Sequence, residues 1–262
     1  MLPDGVILMP GTYRAELYCD LLEREAGAFC ELAGTADPML AVPSCGRWKL
    51  RDLVTHVGHI QLWGGKMVAD LSQTRHPRKK ADMPQPPDDG LAPWLSWCTA
   101  SVLPALRGAD PQARMWAWGP DKHARFWPRR LLHETAVHRG DAVLAAGGNP
   151  QYEPLVAADG VAEFLENLPA GSSRRRGNGE QIHLRATDHN CGWTITLTPA
   201  GHRWTADPGP GGAGGRPGQV TLRGAVTDLY LLMWGRRTET DDRFTVTGDA
   251  GLLTYWAKNS SL

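Results

Sequence analysis

A chain of 262 residues with 28 basic and 28 acidic side chains has no net formal charge, and 42% of it is hydrophobic. That is enough apolar material for a substantial core in one large domain or two small ones, with no basic stripe for nucleic acid and no acidic solvating tail. Five scattered cysteines without a CxxC pair, no N-terminal signal pattern, and a most apolar run (LYLLMW, 229–234) too short to span a bilayer indicate a cytoplasmic protein with no membrane partner.

The first two-thirds of the chain show helical periodicity interrupted by polar or proline-rich breaks. A helix is predicted over 12–33, with Leu17, Leu21, Ala28 and Leu32 at helical intervals. After the break Pro43-Ser44-Cys45-Gly46, a second helix near 48–71 carries Leu50, Leu53, Val54, Val57 and Ile60. Residues 75–90 are charged and proline-rich, which predicts a long exposed loop. Helices follow at about 91–107, 126–147 (stopped by Gly147-Gly148) and 154–168. This order predicts a four-helix bundle with an extra helix.

Beyond residue 170 the pattern alternates instead. QIHLRAT, GWTITLT and HRWTAD read as strands, followed by the flexible connection GPGGAGGRPG at 209–218. A strand at 219–224, an apolar helix at 226–234, a strand at 244–248 and a closing helix near 249–258 complete a small α+β domain. The expected domains are therefore 1–172 and 180–262, with Arg174-Arg175-Arg176 in a solvated loop between them.

Chemistry concentrates in HETAVHRGDAVLAAG, 133–147. Glu134 and His138 are four residues apart on a predicted helix, so both side chains lie on one face, one turn apart. A carboxylate and an imidazole aimed at one point suit a divalent metal, but a third ligand is needed. His56, among Leu53, Val54, Val57 and Ile60, is favoured because its apolar flanks turn it toward a bundle core, where facing helices build such sites. His59 is the alternative; it is 60° short of a full turn from His56, so both would not reach one ion. His133 points about 100° away from Glu134. Position 137 is Val, so the segment is not the zinc-protease pattern HExxH. The tryptophans near the metal helix (Trp116, Trp118, Trp127) and the thiols of Cys45 and Cys98 read as packing residues.

WKLRDLVTHVGH from Trp48, WAWGP at 116–120 and FWPRRLLHETAVHRGDAVLAAG at 126–147 resemble the mycothiol-dependent maleylpyruvate isomerase family. These are actinobacterial proteins with an N-terminal DinB-like metal-binding bundle and a smaller C-terminal domain, here of sterol-carrier-like appearance. IHLRATDHNCGWTI and GAVTDLYLLMWGRR resemble the second domain more loosely, so the likeness covers nearly the whole chain. The resemblance implies a divalent metal, usually zinc, held by His56, Glu134 and His138, with mycothiol as cosubstrate. It also implies a catalytic arginine in the second domain, Arg236 or Arg237. One departure is Gly140, where family members commonly carry a bulky residue, often Trp.

A His₂Glu set leaves a metal position open. A thiol entering it, with a free pKa near 8.5, would need to drop by ~2 units, worth roughly 2.7 kcal/mol, to become mostly thiolate at neutral pH. Such a nucleophile adds to a small electrophile. It either leaves after bond rotation, giving isomerisation, or stays, giving S-transfer. Two other readings remain open: a hydrolase using metal-activated water, and a non-catalytic binding protein.

Overall fold

The computed structural model describes residues 15–78, 83–168, 175–207 and 219–260. The chain divides into two compact units, one ending at Gln151 and the other beginning at Tyr152. Among the described residues, no helix is long and apolar enough to cross a membrane.

The first unit is a bundle of four helices, α1 (Ala15–Thr35), α2 (Leu50–Ala69), α3 (Leu91–Gly108) and α4 (Phe126–Ala145). Its core runs through Phe29, Leu50, Leu53, Val54, Val57, Leu95 and Cys98, all fully buried. On α1 the inward face lies one position off the expected one. Tyr18, Leu21, Leu22, Glu25, Ala26, Phe29 and Ala33 are buried, whereas Ala28 is exposed. The bulk of Phe29 and Leu22 sets the rotation, because a methyl group at Ala28 has little area to bury.

Glycines on α2 allow the close packing that aligns the helices. A Cβ on Gly58 would meet Trp94 at 2.4 Å, and one on Gly65 would meet Val102 at 2.4 Å, so α3 lies directly against α2. The fully buried Gln61 then ties three helices together. It donates to Thr135 Oγ1 of α4 (3.0 Å) and accepts from Thr99 Oγ1 of α3 (2.8 Å), leaving a buried amide satisfied. Helix α4 ends as its glycines predict: Gly147 adopts φ +78°, with Gly147 N–H donating to Leu144 O and Gly148 N–H to Val143 O.

The loop expected to be exposed at 75–90 is tied down on its C-terminal side. Arg51 donates to the carbonyls of Pro86 and Asp88, and Pro84 O accepts from His59. Prolines leave their own carbonyls as acceptors with no N–H to pair in return, and side chains of α2 fill that role.

The second unit holds α5 (Pro154–Asn167), β1 (Gln181–Ala186), β2 (Gly192–Thr198), β3 (Gly201–Asp207), β4 (Gln219–Gly224), α6 (Val226–Met233), β5 (Thr245–Gly248) and α7 (Ala250–Asn259). The division therefore falls before α5, not in the loop at 171–180. Gly160 of α5 provides the reason: a Cβ there would lie 2.2 Å from the Tyr230 ring of α6, so the two helices interlock at this point. The sheet order is β3-β2-β1-β4-β5, antiparallel throughout except for the parallel β1–β4 pair. Its buried face is carried by Ile182, Leu184, Trp193, Ile195, Val220 and Leu222.

Within the arginine run at 174–176, Arg176 is exposed as expected, but Arg175 departs from the solvated state. Arg175 is buried and donates to Asn259 O at the end of α7 (2.7 Å). Arg174 and the glycine-rich connection at 209–218 lie outside the described residues.

Candidate metal centre

Helix α4 is buried around most of its circumference, unlike a surface helix with one apolar stripe. It therefore carries its charged residues inside the bundle, where each needs a partner. Gly64 of α2 leaves room for Trp127 and Leu131 of α4, since a Cβ at Gly64 would meet those side chains at 3.0–3.1 Å. That close approach sets His56 opposite Glu134.

His56 Nε2 lies 2.9 Å from Glu134 Oε1, and His138 Nε2 lies 3.5 Å from the same oxygen. The two imidazoles stand nearly perpendicular, with centroids 5.1 Å apart. Ligand bonds of about 2.0–2.2 Å at a tetrahedral centre put donor atoms roughly 3.3–3.6 Å apart. The three donors, all within 4.8 Å of one another, fit a small divalent cation by chemistry and by spacing.

Surrounding groups hold this set in place. The other oxygen of Glu134 accepts from Arg130 one turn earlier on α4 (2.8 Å), and Arg130 lies over the exposed Trp118 ring. His138 Nδ1 is 2.8 Å from Asp141 Oδ2, and that oxygen also accepts from Cys45 Sγ at 3.4 Å. Trp48 packs against both imidazoles, 4.8 Å from His56 and 6.4 Å from His138 between centroids.

Burial disfavours the Glu134 carboxylate, but hydrogen bonds from His138 and His56 and the charge of Arg130 outweigh it. Its carboxyl is held well below the usual range. For His138, burial disfavours the imidazolium, but bonds to Asp141, Cys45 and Glu134 outweigh it and raise its pKa well above the usual value.

His59 is away from this cluster, donating its ring N–H to Pro84 O (2.8 Å) and standing edge-on to Trp94. It is the more deeply buried of the two α2 histidines, so apolar flanks alone did not distinguish them. His133 is fully buried and outside the group. Trp127 is buried, and its ring packs against Trp63 and Trp116 as a core residue should. Cys98 is also a core residue, with burial pushing its thiol up to about 12.

Trp48, Arg130 and Asp141 neighbour the site with no role predicted from the sequence, and Cys45, expected to pack, is a fourth neighbour. Asp141 carried a readable signal, three residues past His138 and so on the same helix face. Cys45 reaches the site through a short 3-10 turn, Pro43–Cys45, and does more than pack.

Arg236 and Arg237 sit in the second unit, on the turn after α6. Arg237 Nε donates to Asp228 (3.3 Å) and Arg236 to Trp234 O. Both line a cavity of about 590 Å³ together with Phe164, Met233 and Trp256.

A four-helix bundle whose facing helices join two imidazoles to one carboxylate, followed by a mixed five-stranded sheet with helices, defines a two-domain protein with a candidate divalent-metal site. Residues 19–143 match the mycothiol maleylpyruvate isomerase N-terminal domain, and residues 156–254 match the C-terminal domain of the same family. The chain belongs to the mycothiol maleylpyruvate isomerase family.

Among solved structures, it is similar to the mycothiol-dependent maleylpyruvate isomerase, at a TM-score of 0.52 and 13% identity over 89% of this chain and 93% of that one. A histidine-to-alanine mutant of that isomerase overlays at a TM-score of 0.57, with the same identity and coverage. At this identity the likeness is one of fold. No curated protein matches the chain.

Proposed function

We propose that this chain is a metal- and mycothiol-dependent enzyme of the cytoplasm that activates a thiol for addition to a small electrophile, as a maleylpyruvate isomerase-like isomerase or a mycothiol S-transferase. The observation that carries this reading is the convergence of His56, Glu134 and His138. These residues would hold a divalent cation, zinc by donor chemistry, although a His₂Glu set accepts other first-row ions. When bound, such an ion supplies an open position that lowers the pKa of an entering thiol.

The remaining steps belong to the protein and the reactants. Arg130 fixes the Glu134 carboxylate so that its other oxygen faces both imidazoles. The Trp48 indole packs against both imidazoles. The thiolate sulfur adds to a conjugated double bond, the resulting single bond rotates, and the sulfur leaves with the double bond restored. In S-transfer the new carbon–sulfur bond is kept, and the adjacent carbon takes a proton. Arg236 or Arg237 pairs the substrate carboxylate or the developing enolate.

The test combines metal analysis with turnover of maleylpyruvate in the presence of mycothiol. Purified protein should contain about one divalent ion per chain, and His138→Ala should lose both the ion and the turnover. Metal-free protein with a fully active His138→Ala variant overturns the reading. Turnover unchanged by omitting mycothiol overturns its thiol component.

A further inference from the structure

Asp141 is a fully buried carboxylate on α4, one turn beyond His138. An ionised carboxylate without water is costly unless several donors reach it. Two donors converge on one of its oxygens: the His138 ring at Nδ1 (2.8 Å) and the Cys45 thiol (3.4 Å). The first is local to α4, whereas the second comes from 96 residues away on the turn that precedes α2. The same segment brings Trp48 against both imidazoles, so one stretch of chain contacts Asp141, His138 and His56.

An imidazole with its Nδ1–H given to a carboxylate presents Nε2 as a lone-pair donor, with its ring plane fixed. Nε2 of His138 is the atom facing Glu134. We propose that Asp141 is a positioning residue, anchored by Cys45, that fixes the tautomer and ring orientation of His138 for metal ligation. Asp141 and Cys45 could instead ligate an ion themselves, since with His138 they form a second compact donor group. The stoichiometry of zinc binding separates the two, because ligation by this second group adds a second ion per chain.

This inference rests on the metal reading above, and its test separates the two. Zinc affinity is measured on the chelator-stripped full chain by competition with a chromophoric chelator, and the His138 tautomer by nitrogen-15 NMR of the zinc-loaded protein. Wild type should bind one ion per chain and show the proton on His138 Nδ1. Asp141→Asn should weaken zinc binding by about 10–100-fold. Cys45→Ala, which leaves the carboxylate in place, should weaken it by about threefold, as expected for one modest hydrogen bond. Val102→Ala, a core truncation on α3, should lower the melting temperature without changing zinc affinity, which separates positioning from general stability.

Asp141→Asn and Cys45→Ala proteins that both bind zinc within twofold of wild type, or a His138 proton on Nε2, overturn the positioning role alone. Two ions per wild-type chain, one of them lost in Asp141→Asn, make Asp141 a ligand and also overturn it. A wild-type protein that binds no zinc overturns the metal reading and this inference together. Should Asp141→Asn fail to fold, the Cys45→Ala affinity and the wild-type tautomer still decide the matter.

Discussion

His56 Nε2 and Glu134 Oε1 meet at 2.9 Å across 78 residues of sequence, joining α2 to α4 at the centre of the candidate site. This contact extends a one-helix motif to a candidate ligand set, and it distinguishes two histidines on the same helix. His56→Ala should abolish stoichiometric zinc binding. His59→Ala should retain it while losing about 1–3 kcal/mol of stability, through the lost bond to Pro84 O and the lost contact with Trp94. Metal analysis beside urea denaturation of both variants checks this, and the reverse pattern would move the site to His59.

Glu134→Gln keeps the side-chain shape but removes the charge that Arg130 and two imidazoles surround. As a ligand substitution, it should reduce zinc affinity by more than the roughly 10–100-fold typical of outer partners. Chelator competition measures this directly. An unchanged affinity would mean that the carboxylate only organises its neighbours.

What was legible in the sequence follows the range of the interactions. Glu134 and His138 were readable because a helix puts i and i+4 side by side. Helix ends such as Gly147 were readable for the same local reason. His56 was harder, because burial points more strongly to His59, whose ring is satisfied by a proline carbonyl from a distant loop. The Cys45–Asp141 contact and the parallel β1–β4 pairing join segments far apart in sequence, and no local pattern encodes them. Arg175 looked solvated because its neighbours are glycine, serine and arginine, yet its acceptor is a carbonyl 84 residues away.

Glu25 of α1 and Arg139 of α4 form a buried ion pair at 2.6 Å, and Arg139 also donates to Gln151 O. Removing one partner leaves an uncompensated buried charge. Glu25→Gln or Arg139→Met should each cost about 3–5 kcal/mol, while the double variant should cost less than the sum. A double-mutant cycle by urea denaturation tests this, and additive losses would show that the pair is not coupled.

Gly160 faces the Tyr230 ring so closely that even a methyl group has no space. Gly160→Ala should destabilise the second unit by about 1–3 kcal/mol through forced displacement of α6. Tyr230→Phe should not rescue it, because the clash is with the ring and not with the hydroxyl. Tyr230→Leu in the Gly160→Ala background should recover part of the loss. Thermal denaturation of the three variants distinguishes a steric cause from a general loss of helix stability.

The buried thiols predict how stability responds to alkali. Burial raises the pKa of Cys19, Cys30 and Cys191 to about 11 and that of Cys98 to about 12, from an ordinary value of 9.0. The unfolded chain therefore releases these protons from about pH 9 upward, while the folded chain retains them. Between pH 9 and about 11 the unfolded state binds fewer protons than the native state, so unfolding becomes more favourable as pH rises. Below pH 9 both states hold the protons and the effect is absent. Cys98→Ala removes one of these linked protons, so its stability should fall less steeply than that of wild type above pH 9, whatever its loss at neutral pH. Melting temperatures from pH 7.5 to 10.5 give the comparison. Parallel curves for the two proteins would mean that the Cys98 thiol ionises alike in the folded and unfolded chain.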